Sequence, residues 1–118
     1  MNARAVLHTK QKQYDDAQSL FKEALEGSKS ELGDDHPDTL ETINDLGILH
    51  RQQKHYEKAE KLLAKAFEGR KIKLGVDHPH TLQSMHELAV LYKEQERYEE
   101  AEELLRRVTF SVLTRAGG

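Results

Sequence analysis

Apolar and small side chains recur along this chain at the spacing of one helical face. From Tyr56 they fall at Tyr56, Ala59, Leu62, Leu63, Ala66 and Phe67, while Glu57, Lys58, Glu60, Lys61 and Lys65 between them are charged. That alternation predicts an amphipathic helix running to about Leu74. Upstream, Leu40, Ile43, Leu46, Gly47 and Leu49 form a second stripe, opened by Pro37, whose missing N–H is harmless in a first helical turn. Asp35 and His36 just before it are placed to cap the free amides of that turn. Gly33 and Gly75 suit the left-handed residue that often closes a helix. Extended to the whole chain, the pattern predicts six helices, over roughly 1–11, 14–32, 37–53, 56–74, 79–95 and 98–115, with connections short enough to force antiparallel neighbours. No segment calls for a strand.

Shifted by 42 residues, the chain matches itself. Tyr14, Tyr56 and Tyr98 align, as do Leu20, Leu62 and Leu104, and "LGDDHPDTLETINDLG" from Leu32 returns as "LGVDHPHTLQSMHELA" from Leu74. A fixed period of this length marks an array in which each unit buries a face on its neighbour. The reading is one domain over 1–118, made of a truncated unit (1–33) and two fuller ones (34–75 and 76–118). Met1 aligns with Ile43, inside a first helix, so the expectation is a piece of a longer array or a short stand-alone one.

Two helices per unit, with small residues where the pair cross (Gly47 and Ala59; Ala89 and Ala101) and a Tyr opening the second helix, resemble tetratricopeptide repeats. The "LGxDHPxTL" connector and the long period further resemble the variant found in kinesin light chains. The resemblance implies an all-α, right-handed α-α superhelix of about three antiparallel helix pairs, acting as a protein-interaction module without a cofactor. Family members often carry Gly in the turn ahead of the second helix, where this chain has Lys12, Lys54 and Glu96. That turn must avoid left-handed geometry or accept a cost of roughly 1 kcal/mol. The aromatic frequent in the first helix is Tyr92 in one unit but His8 and His50 in the others.

In such arrays the first helices build a concave wall on which partner peptides lie. Position by position, the resemblance assigns that wall to Asn44, Asp45, Ile48, Arg51 and Gln52 in the second unit and to His86, Glu87, Val90, Lys93 and Glu94 in the third. The truncated unit offers Asn2, Val6, Thr9 and Lys10. Asn44 would serve a peptide backbone, Arg51 and Lys93 would pair with ligand acids, and Ile48 with Val90 would add an apolar strip. The Lys and Asn pairs by which some relatives grip a free carboxylate are missing, since the matching places hold Asn44 with Ile48 and His86 with Val90.

Charge and chemistry narrow the picture. The 118 residues carry a formal charge of −3, with 18 basic and 21 acidic side chains, so no bulk field draws them to nucleic acid or an anionic membrane. There is no cysteine, no run of apolar residues long enough to span a bilayer and no secretory h-region; a soluble, cytoplasmic protein is the default expectation. Of seven histidines, His78, His80 and His86 with Asp77 are the densest group, but their spacing fits no zinc geometry, and His36 repeats the motif as a capping residue. No nucleophile elbow, phosphate loop or HExxH motif suggests an enzyme. Where the second unit places Glu68, Arg70 and Lys71, read as solvent positions, the third has Phe110, Val112 and Leu113. An apolar strip there predicts self-association by end-to-end stacking or helix exchange.

Overall fold

The computed structural model describes the backbone of residues 3–117 and the side chains of 10–114. Five helices follow one another: α1 (Ala3–Leu32), α2 (Pro37–Gln52), α3 (Tyr56–Leu74), α4 (Pro79–Glu94) and α5 (Tyr98–Gly117), with no strand among the described residues. Each packs on the next in the chain, and α2 also meets α4. Backbone contacts of that kind do not join α1 to α3 or α3 to α5. The layer of α2 and α4 is therefore the tighter one, in an elongated solenoid of 57 × 38 × 20 Å.

Local chemistry explains the helix boundaries. The His36 ring nitrogen Nδ1 accepts from the Asp38 amide and that of His78 from the His80 amide, both at 3.1 Å, so each imidazole of the two "DHP" motifs caps a helix that begins with proline. Gly33 and Gly75 end α1 and α3 at φ 97° and 99°, a region open to glycine at no steric cost. The turns α2–α3 and α4–α5 place Lys54 at φ 64° and Glu96 at φ 60°. These turns accept left-handed geometry without glycine. In return His55 N donates to His50 O and Arg97 N to Tyr92 O, both at 2.8 Å, which closes each pair.

The expected break near Lys12 does not occur, and the helices predicted over 1–11 and 14–32 are one. Gln11-Lys12-Gln13 favours helix by propensity. Gln11 Nε2 donates to Asp15 Oδ1 at 3.0 Å across the point where the chain was to reverse, and to Gln53 Oε1, just past the end of α2, at 3.4 Å. Where a full first helix packs back on the second, burial offsets the strained residue. In the first unit α1 continues through Lys12, and the unbroken hydrogen-bond ladder takes the place of that turn.

The core is a set of helix crossings. Leu40, Ile43 and Ala66 join α2 to α3, with Leu25 of α1 packed against them, while Ala59, Leu63, Phe67, Leu88, Leu91 and Val108 join α3, α4 and α5. Gly47 lies so close to α3 that a Cβ there would stand 2.8 Å from Leu63 Cδ2 and 3.2 Å from Leu62 Cβ, which is why the small residue read from the sequence is needed at this crossing. Between α3 and α5 the Arg97 guanidinium, stacked 4.5 Å over the Tyr92 ring, pairs with Glu60 at 2.6 Å and with Glu100. These hydrogen bonds push Arg97 further toward its charged form and hold the Glu100 carboxyl below its ordinary range.

Candidate functional site

The helices α2 and α4 pack on one another, so residues one or two turns apart on them share one face of that layer. Its helical period brings Glu41, Asp45, Ile48, Arg51 and Gln52 of α2 beside Gln83, His86, Glu87, Val90, Lys93 and Glu94 of α4. Ile48 and Val90 are half-buried, while Gln52, His86 and Lys93 are exposed. A cleft of about 520 Å³ at one end is lined by Tyr14, Arg51, Gln52, Lys54, Tyr56 and Glu94. Lys10 is exposed on α1; Asn2 lies outside the described residues, as do the side chains of Val6 and Thr9.

Four of the expected wall residues, Asn44, Arg51, Glu87 and Glu94, are already paired within the protein. Asn44 is 1% exposed, and its Oδ1 accepts from Ser84 Oγ at 2.8 Å, tying α2 to α4. Its Nδ2 has no partner among the described residues. Arg51 is not free for an acidic ligand, because it pairs with Glu94 at 2.7 Å and Glu87 at 3.4 Å across the same joint. The reason is common to both: adjacent first helices come close enough that polar side chains on the wall meet one another before they meet a partner.

Arg70 and Ser84 were not foreseen. Arg70, read from the sequence as a solvent position, is 2% exposed; its guanidinium donates to His80 O and Ser84 Oγ, both at 3.0 Å, and the serine passes the link to Asn44. Burial disfavours its charged form, opposed by Glu41 and Asp45. The spacing held the signal, since Ala59, Leu63, Ala66 and Phe67 continue to Arg70 at helical intervals, and Thr81, Ser84, Leu88 and Leu91 do the same in α4. A polar residue on a buried stripe is one that has found a partner.

At the far end, Phe110 is 71% and Leu113 66% exposed, whereas Val112 is half-buried and packs on the core of α3, α4 and α5. Val112 is the register equivalent of Arg70, which α4 covers in the preceding pair. His78 serves as a helix cap, and no group of three metal-ligating side chains occurs among the described residues. None of the described helices is long and apolar enough to cross a membrane.

A family profile described as tetratricopeptide repeat matches residues 1–72 and again 56–109. The chain is a tetratricopeptide-repeat protein. Among solved structures, BtubC (BKLC) from P. vanneervenii, a kinesin-light-chain-like repeat protein, is similar in fold, with a TM-score of 0.56 over 97% of this chain at 15% identity. This chain spans 62% of the length of that one. No curated protein sequence matches it. The tetratricopeptide fold is an all-α solenoid that generally serves as a non-catalytic scaffold for protein interaction.

Proposed function

We propose that this repeat array is a non-enzymatic module that docks a peptide or helix of a partner protein on the concave face of α2 and α4. The observation that carries the reading is the row of accessible polar and half-buried apolar side chains on the inner layer: Asp45, Ile48 and Gln52 beside His86, Val90 and Lys93. Affinity would come from a few anchors, with Ile48 and Val90 at the centre, and micromolar binding, about −8 kcal/mol, is the expected scale. Nucleic acid and membrane surfaces are not the partners we propose, because the wall is mixed in sign. Photo-crosslinkers at Gln52 and His86 should capture the partner, and one at Ile72, exposed on α3 of the other layer, should not. Capture from Ile72 alone would overturn the reading.

A second reading is self-association through the apolar end of α5. Exposed Phe110 and Leu113 favour it, as does Leu20, 67% exposed on α1 at the opposite end of the solenoid. On α5, Thr109 and Val112 take the places that Phe67 and Arg70 hold on α3, where α4 packs. Light scattering over a range of concentrations should show assembly that Phe110→Glu abolishes; a monomer at every concentration would remove this reading.

A further inference from the structure

The two reversing turns of the array hold equivalent side-chain pairs of different chemistry. Shifted by the repeat, His50 and His55 stand where Tyr92 and Arg97 stand, and Gln18 and Lys58 where Glu60 and Glu100 stand. In the α4–α5 turn the permanently charged Arg97 stacks 4.5 Å over Tyr92 and pairs with Glu60 at 2.6 Å and with Glu100. In the α2–α3 turn both partners are imidazoles, which titrate near neutrality. Their Nδ1 atoms lie 3.3 Å apart, with His50 only 4% exposed and His55 exposed at the α3 N-cap, where its side chain makes no capping bond. Lys54 between them holds φ 64°, and the His55 amide donates to His50 O at 2.8 Å. Facing Nδ1 atoms bond only when one carries a proton and the other a lone pair. A first added proton enters at an Nε2 and leaves that bond in place. A second sets N–H against N–H and brings two like charges together. The surroundings resist it: burial first, then His55, Lys58 of α3 and Lys22 of α1, hold His50 below its ordinary value, although the C-terminal end of α2 favours a cation. From α4, Glu87 and Glu94 are turned to Arg51.

We propose that the α2–α3 turn is a proton-operated clasp, closed while His50 and His55 share one hydrogen bond and opened when both are imidazolium. Opening also releases the backbone strain at Lys54. The α4–α5 turn, built on a fixed charge between two acids, stays shut. His50 lies in the last turn of α2 beside Arg51 and Gln52, so opening loosens that end of the face proposed for a partner. This consequence rests on that reading; the clasp itself does not.

Amide hydrogen exchange followed by NMR between about pH 7.5 and 5 tests it, with the imidazole nitrogens titrated in the same samples. We expect protection at the His55 amide, corrected for the intrinsic rate, to fall about tenfold as the second imidazole takes its proton, while the Arg97 amide keeps its protection. His55→Gln, at an exposed side chain, should hold the turn closed throughout, because the amide oxygen accepts from a protonated His50. Protection lost at His55 and Arg97 together is global unfolding and overturns the proposal. So does protection that is lost with the first proton, kept after the second, or lost equally in His55→Gln. The fourfold variant Gln18→Glu, His50→Tyr, His55→Arg and Lys58→Glu, which carries the side chains of the α4–α5 turn, should lose the response to pH; a response that persists there overturns the proposal as well.

Discussion

Replacing Lys54 and Glu96 by glycine should stabilise the protein, and replacing Lys12, their register equivalent, should do the opposite. Lys54 and Glu96 sit at φ 64° and 60°, where a side chain crowds its own carbonyl at a cost of about 1–2 kcal/mol. Glycine removes that crowding and returns about 0.5–1 kcal/mol through the greater freedom of the unfolded chain. The net is a gain of about 0.5–1 kcal/mol per turn. Little else changes: both side chains are exposed, and the amides that donate to Arg51 O at 2.9 Å and Lys93 O at 3.0 Å are kept. Lys12 lies inside α1, so Lys12→Gly forfeits helix propensity, about 1 kcal/mol. Urea unfolding followed by circular dichroism reads the three variants, with a thermal shift of about 4 °C per kcal/mol as a second measure. The sign at Lys12 decides. If Lys12→Gly stabilises as the others do, the first unit turns back on itself as its sequence register predicts, and the unbroken α1 is wrong.

Other consequences follow from the buried polar contacts. Arg51→Glu should destabilise by about 2 kcal/mol, since it removes the cation between Glu87 and Glu94 and sets three acids together, whereas Lys93→Glu, exposed and without an ion pair among the described residues, should leave the unfolding midpoint unchanged. Asp45→Asn should raise the midpoint at neutral pH, because burial and Glu41 disfavour the folded carboxylate; the raised value means that wild type regains this stability as pH falls through it, so the two proteins converge in acid. His50, 4% exposed with Nδ1 3.3 Å from His55 Nδ1, is held below its usual 6.5 first by burial and then by His55, Lys58 and Lys22. The unfolded chain therefore takes up that proton first, and stability present above about pH 6.5 is lost below it. His50→Gln should flatten that slope in pH-dependent unfolding; an unchanged slope would exclude His50 as its source.

The helices, their caps and the repeat were legible in the order of residues because each depends on neighbours within a turn or two. The Pro37 and Pro79 starts, the His36 and His78 caps, the glycine stops and the small residue at Gly47 are all local or periodic demands. The family follows from the same repeats. What one sequence could not reveal was how the wall spends its polar groups. Arg70 reads as a charged surface residue until α4 lies across it, Arg51 reads as a ligand contact until Glu87 and Glu94 of the next pair reach it, and Asn44 reads as accessible until Ser84 covers it. The turn at Lys12 belongs with these, since the same tripeptide pattern reverses the chain only where a packed helix pair compensates the strain. Local spacing sets which face each side chain occupies; the close approach of α2 and α4, formed by residues some 40 positions apart, decides which of those side chains are left for a partner.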